Sequence, residues 1–263
     1  MLSGLIVYSP LDKEKNIWFI NRCIENFANK GVFLIYKDED DVLSFLDYNQ
    51  VDFVIYRSRN FKLVEQLESR GVRCFNNALT NKTANNKYFT YQFLKEYHIA
   101  CIPSFLSIEE VDGLPTIMKS VDGHGGEEVF LLRAKEDISL YQKPNKTYIY
   151  QPYLENEGDL RLYVLNKKVV GAVLRHNKTD FRSNFSLGGE VEAYQPEEQL
   201  VETAEKIAAL LNADYIGVDF LKVNNQWLVN EIEDPVGART LYKTLKIDAS
   251  ILLCDYVFDS LNQ

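Results

Sequence analysis

The chain has 263 residues, 46% of them hydrophobic and 25% charged, a globular balance with length enough for a large core in one or two domains. Lys and Arg total 29 against 38 Asp and Glu, a formal charge of −9. This acidity argues against a nucleic-acid partner, whose affinity rests on basic side chains meeting phosphates, and leaves any phosphate ligand dependent on locally placed cations.

The apolar run at 5–8 is too short for a signal-peptide core and has no basic leader, and no stretch approaches membrane-spanning length. Cys23, Cys74, Cys101 and Cys254 lie far apart with no CxxC pair, so they are expected as reduced thiols, and the expected compartment is the cytoplasm.

Residues 1–80 alternate short apolar runs with amphipathic stretches. Strands are predicted at 5–8, 32–36, 51–56 and 72–75. Helices are predicted through Ile17, Ile20, Ile24 and Phe27 with a stop at Gly31, at 42–46, and through Leu63, Val64 and Leu67 to Gly71. This order predicts a parallel sheet covered by helices. The first turn, Ser9-Pro10-Leu11-Asp12, lacks the glycines a dinucleotide pyrophosphate requires, so this lobe is expected to be structural. The middle opens with a helix at 83–97, followed by strands at 115–119 and 129–132 around a glycine-rich loop. The last third pairs strands 160–165 and 168–175 around Asn166-Lys167, then a helix at 197–211, strands 215–223 and 227–231, and a C-terminal helix. The domain reading is 1–80, 81–150 and 151–263.

Two constellations carry chemistry. The run KSVDGHGG begins at Lys119 and contains Gly123, Gly125 and Gly126. Glycines let a backbone fold over phosphates with its N–H groups inward, and Lys119 can add an ammonium there. No GK[ST] follows, so this is not a P-loop, and taken alone such a loop is more often a plain turn. The second constellation is Asp219, Glu231 and Glu233. Alternation puts Glu231 and Glu233 on one face. A two-residue turn at Asn224-Asn225 would pair Asp219 with Asn230 and send Glu231 to the opposite face. A three-residue turn at 224–226 pairs Asp219 with Glu231 and aligns Leu221, Val223, Trp227 and Val229 in one apolar stripe. That register is favoured. Clustered carboxylates on such a face call for a hard cation. The competing reading leaves Glu233 and Asp234 in a solvated loop.

The order of motifs completes the reading. Lys87 precedes Pro103; Lys119 and its glycines lead to the run YQPYL at 150–154 and to Asp159-Leu160-Arg161; FRSN at 181–184 with Gly188-Gly189 leads to Gly217-Val218-Asp219 and Glu231-Ile232-Glu233. Over about residues 50–240 this resembles the ATP-grasp superfamily, in particular the RimK-like glutamate ligases. The resemblance implies an α/β fold, α+β in its ATP-grasp part, with a parallel N-terminal lobe and ATP held between antiparallel sheets. By it, Lys87 and Lys119 bind the α- and β-phosphates under the glycine flap of Gly123, Gly125 and Gly126. Gln151, Tyr153 and Leu154 line the adenine slot, and Glu157 or Asp159 takes the ribose hydroxyls. Asp219, Glu231 and Glu233 hold two divalent ions, Mg²⁺ or Mn²⁺. Arg161, Arg175, Arg182 and Asn184 face the γ-phosphate and an acyl-phosphate intermediate.

The chemistry so implied needs no activated Ser, Cys or His, because the substrate carboxylate is the nucleophile. His98 is expected to pack or cap a helix end, His124 to sit at a loop tip, and His176 to lie at the surface. This chain departs from the family at Glu233, where Asn is usual, at Pro152, where an acid is common, and in the tail after Asp234. Arg57 and Arg59 end a strand of the first lobe at the edge where open α/β sheets bind ligands, and with Arg239 they are candidates to hold an acidic substrate. A solvated arginine is the alternative there. The implied activity is ATP-dependent ligation of a small amino acid or peptide carboxylate to an amine, without membrane or nucleic acid, in a chain that could be a homo-oligomer. Alternatives are an ATP-grasp kinase of a small metabolite and a non-catalytic nucleotide-binding regulatory module.

Overall fold

The computed structural model describes residues 2–126, 128–156, 158–176 and 190–262. Its first lobe runs β1 (Ser3–Tyr8), α1 (Pro10–Ala28), β2 (Phe33–Asp38), α2 (Val42–Leu46), β3 (Phe53–Tyr56), α3 (Phe61–Ser69) and β4 (Arg73–Phe75). The strands form a parallel sheet, as the alternation of strands and helices predicts, and their order is β2-β1-β3-β4. Ser9 caps α1, its hydroxyl accepting from Asp12 N at 3.2 Å, and Pro10 fits the first turn, so the helix starts well before the apolar period at Ile17. One sheet face closes locally, with Leu5, Val7 and Val54 against Val42, Leu63, Val64 and Leu67. The other face, including Ile6, Tyr8, Phe53 and Ile55, packs with α1 and with residues as distant as Leu253 and Val257.

The single helix expected at 83–97 is two, α4 (Ala78–Ala84) and α5 (Lys87–Glu96). The break falls at Asn85-Asn86, where asparagine side chains compete for backbone groups. Asn85 Nδ2 donates back to Asn81 O at 2.9 Å, and Asn86 Oδ1 accepts from Tyr88 N and Phe89 N at 3.0 and 3.1 Å. That cap places Lys87 at the first position of α5.

A small antiparallel sheet follows: β5 (Thr116–Ser120), β6 (Val129–Leu132) and, after α6 (Ile138–Tyr141), β7 (Tyr148–Pro152), in the order β6-β5-β7. Met118, Leu132, Tyr148 and Tyr150 form its own small core. The larger antiparallel sheet comprises β8 (Gly158–Leu165), β9 (Lys168–His176), β10 (Glu190–Ala193), β11 (Tyr215–Val223) and β12 (Gln226–Glu233), in the order β10-β9-β8-β11-β12. α7 (Glu198–Leu211) lies between β10 and β11 in the chain, and α8 (Arg239–Leu245) and α9 (Ala249–Leu261) close it. β10 was not expected, and the expected C-terminal helix is split where Lys246 turns left-handed (φ 58°) and Asp248 Oδ1 caps α9 by accepting from Ser250 N at 2.9 Å. Past the expected 80/81 boundary, Leu94 and Ile99 join the core of the larger sheet, and β7 runs through the 150/151 boundary to Pro152. The fold is mixed α/β, a parallel lobe followed by two antiparallel sheets. No helix among the described residues is long and apolar enough to cross a membrane.

Strand alternation gives the larger sheet two characters. Leu160, Leu162, Val164, Ile216, Val218, Phe220 and Ile232 pack under α7. The opposite face is apolar at the end next to the first lobe, where Tyr163 and Tyr215 join its core, and charged at the other end, where Asp159, Arg161, Asp219, Glu231 and Glu233 open into a cleft.

Candidate active site

The cleft has a volume of about 600 Å³ and is lined by both antiparallel sheets and the first lobe. It brings together Lys87, Lys119, Gly123, Gly125, Gly126, Gln151, Tyr153, Leu154, Asp159, Arg161, Arg175, Asp219, Glu231 and Glu233, together with Arg57, Arg59 and Arg239. Glu157, Arg182 and Asn184, with the rest of the FRSN segment and Gly188-Gly189, lie outside the described residues.

The hairpin that carries the acids corrects the sequence reading. The turn has two residues, Asn224 and Asn225 (φ 49° and 62°), with Val223 paired to Gln226. Trp227 therefore pairs with Lys222, not with Val223 in the expected stripe. Asp219 nevertheless pairs with Glu231, because a β-bulge between Asp219 and Phe220 leaves Asn230 as an extra residue on β12 and restores the register. The bulge has a second effect: Asn230 Oδ1 accepts from Lys119 Nζ at 3.1 Å.

Two lysines converge on one of the acids. Lys119, in the fully buried strand β5, and Lys87, at the start of α5, both place Nζ 3.8 Å from Glu231 Oε1. Burial lowers the pKa of Lys119, and Glu231 opposes that shift. Lys87 also donates to the Gly123 carbonyl, tying the loop to the cleft floor. Gly125 and Gly126 take left-handed backbone (φ 67° and 79°) that β-carbons disfavour.

The arginines grip the other acids. Arg161 holds Asp219 in a two-pronged pair and reaches Glu233 Oε1 from Nη2 at 2.9 Å. Arg175 bridges Asp159, with Nε 2.9 Å from Oδ1, and Asp219, with Nη2 2.8 Å from Oδ2. Burial would push the Asp219 carboxyl up, but the two guanidiniums together outweigh it and hold it at about 2. Asp159, expected at the ribose, is buried against Arg175 and orients that guanidinium.

The carboxylates are oxygen donors on one sheet face, the ligand type a hard divalent cation takes. Glu231 and Glu233 remain partly open to the cleft, while Asp219 is engaged by arginine. Among the described residues no three acidic, histidine or cysteine side chains converge on one point. The donor chemistry fits a cation, in an arrangement where arginine now neutralises two of the acids.

At the far end of the cleft, Arg57 is buried, not solvated. Its Nη2 donates to Val236 O at 2.6 Å, its Nε lies 3.3 Å from Tyr8 Oη, and its guanidinium sits over the Phe19 and Tyr215 rings. Arg59 pairs with Asp12 at 2.6 Å, and Arg239 is exposed at the start of α8. The residue after Glu233 corrects the solvated-loop reading. Asp234 is buried and accepts from Asn76 Nδ2 at 2.9 Å and Asn81 Nδ2 at 2.8 Å, which fastens the end of β12 to the first lobe. Burial raises its pKa to about 6 despite those donors. Of the histidines, His98 lies just beyond α5 with left-handed backbone (φ 54°), His124 is an exposed loop residue on the cleft, and His176 pairs with Glu192 at the surface.

Residues 103–257 match the RimK-like ATP-grasp domain. The chain belongs to the RimK-like ATP-grasp family. By class it is an ATP-grasp carboxylate–amine ligase, as the motif order implies. It is 32% identical to uncharacterized protein MG011 of Mycoplasma genitalium, over 90% of this chain and 86% of that one. It is 30% identical to beta-citrylglutamate synthase B of Mus musculus over 74% of this chain, and spans about half of that synthase's length, 55%. In fold it is similar to D-alanine–D-alanine ligase from Bacillus anthracis complexed with ATP, with TM-score 0.78, 15% identity, and coverage of 99% of this chain and 97% of that one.

Proposed function

We propose that the protein activates a carboxylate with ATP as an acyl phosphate, which an amine then converts to an amide, releasing ADP and phosphate. The observation carrying this is the meeting of Lys87, Lys119 and Glu231 beneath the glycine loop, beside Asp219 and Glu233 gripped by Arg161 and Arg175. The substrate carboxylate oxygen forms a bond to the γ-phosphorus while the bond to the β–γ bridging oxygen breaks. The amine nitrogen then attacks the acyl carbon, loses a proton, and phosphate departs with the C–O bonding electrons.

The chain's residues position and neutralise charge; none has to act as a nucleophile. Lys87 and Lys119 would bind the α- and β-phosphates. Arg161 and Arg175, already oriented by Asp219 and Asp159, would face the γ-phosphate. Asp219, Glu231 and Glu233 would hold Mg²⁺ or Mn²⁺, which when bound neutralises the terminal phosphates. Tyr153 N already donates to Pro115 O at 3.1 Å, which leaves its carbonyl, Leu154 N and the Gln151 side chain for the base edge. Arg57, Arg59 and Arg239 place positive charge at the opposite end, suited to an amino acid or peptide carboxylate. The name of the mouse relative makes glutamate the first amine to try.

The test is purified protein with Mg²⁺-ATP and a panel of carboxylates and amines. ADP and free phosphate should appear together only when both substrates are present. Release of AMP and pyrophosphate, or a stable phosphoester without free phosphate, would overturn the acyl-phosphate route.

A further inference from the structure

Behind the base slot lies a short relay that the sequence reading missed. Ser104 is buried, and its hydroxyl donates to Ile102 O at 3.3 Å. Gln151, also buried, donates from Nε2 to Ser104 Oγ at 2.7 Å. The direction follows from donor counting. A carbonyl only accepts, so Ile102 draws the single Ser104 proton, and Ser104 Oγ is left to accept. The carboxamide atom against it must then be the nitrogen. Gln151 Oε1 is thereby turned elsewhere. It has no hydrogen-bond partner among the described residues, is not sealed from solvent, and belongs to a residue that lines the cleft.

We infer that Ser104 is a positioning residue that sets nucleobase specificity, by locking the Gln151 carboxamide so that only its oxygen meets the base. An acceptor at that point suits a purine with its amine at C6, such as adenine with its N6 donor. It opposes guanine, whose O6 is also an acceptor. Two buried acceptors face to face leave both unsatisfied, the kind of mismatch by which polar sites discriminate most strongly. The flanking backbone keeps the relay in place: Phe105 and Tyr150, next to Ser104 and Gln151 in the chain, exchange hydrogen bonds of 2.8 and 2.9 Å.

This inference rests on the nucleotide reading above, and the experiment separates the two. ADP or GDP production is measured against ATP and GTP concentration for the wild type, Ser104→Ala, Ser104→Thr and Gln151→Ala, with thermal melts of each. Ser104→Ala frees the carboxamide to rotate and offer its nitrogen to guanine O6. Its ATP-over-GTP ratio of kcat/KM should fall by roughly tenfold, the scale of one buried polar mismatch, while KM for the carboxylate and amine stays put. Ser104→Thr, which keeps the hydroxyl, should retain the wild-type ratio. A Ser104→Ala enzyme with an unchanged ratio overturns the relay, provided Gln151→Ala raises KM for ATP. If Gln151→Ala leaves KM for ATP unaltered, the base slot itself is misplaced and both readings fall. A general loss of packing would lower turnover with both nucleotides alike and leave the ratio untouched, which also counts against the relay.

Discussion

Arg161 and Asp219 stand directly opposite each other on β8 and β11 and meet through two parallel contacts, Nε to Oδ1 and Nη2 to Oδ2, each 2.6 Å. Arg175 adds a second guanidinium to the same carboxylate. Removing the acid would leave Arg161 with Glu233 alone and Arg175 with Asp159 alone, two guanidiniums short of the carboxylate that joins them. Asp219→Ala should therefore destabilise the protein by about 3–5 kcal/mol, besides ending turnover. Urea unfolding measures this, and a loss below about 1 kcal/mol would mean that Glu233 and Asp159 suffice to hold the two arginines.

Lys119→Ala and Glu231→Ala should each lower kcat by at least about a hundredfold, the scale of losing one charge-stabilising group, while keeping a cooperative unfolding transition. Coupled assay of ADP and phosphate checks the first point and circular dichroism the second. Near-normal turnover in either variant removes that residue from the site.

Asp234 gives a pH signature. Its folded pKa of about 6 lies above the ordinary value of 3.8, so between these values the folded state binds the proton more tightly than the unfolded chain. Its contribution is present below pH 4, lost as pH rises through 6, and flat above. The shift corresponds to about 3 kcal/mol. Carboxyls held low, such as Asp219, act in the opposite sense below pH 4, so the comparison with Asp234→Asn isolates the effect. Across pH 4 to 6 the wild type should lose stability relative to that variant. Parallel curves would show that Asp234 does not titrate there.

Gly217 faces the turn after β12: a methyl there would meet Val236 Cγ2 at 2.7 Å. Gly217→Ala must displace the residue whose carbonyl Arg57 grips, at a cost of about 1–3 kcal/mol for overpacking. Differential scanning calorimetry should show a lowered Tm, and KM for the carboxylate should rise more than KM for ATP. A rise shared equally by both would place the damage outside the Arg57 end of the cleft.

Much of the fold was legible because periodicity reports burial. Alternation of strand and helix in the first lobe predicts a parallel sheet, though not the order of its strands, and Asn166-Lys167 marks a tight hairpin that the left-handed φ values bear out. The β11–β12 hairpin shows the limit. Its asparagines do make a two-residue turn, yet the pairing of Asp219 with Glu231 survives through a bulge at Asn230, and no single side chain announces a bulge. The break between α4 and α5 is written in Asn85-Asn86, but the apolar period runs on across it and so predicts a single helix. Ser104, Asp234 and the Asn76 and Asn81 donors could not be singled out, because their partners lie 47 to 158 positions away in sequence.

The two faces of the first sheet have different histories. One is covered by α2 and α3, which follow within the same stretch of chain. The other is completed only by α9, where Leu253, Cys254 and Val257 join Ile6, Phe27 and Phe53. During synthesis, then, the nascent lobe leaves the ribosome with part of an apolar surface bare until α9, about 170 residues further along, has emerged. A mutation that slows the docking of α9 would prolong that exposure and reveal itself as aggregation rather than as an altered reaction.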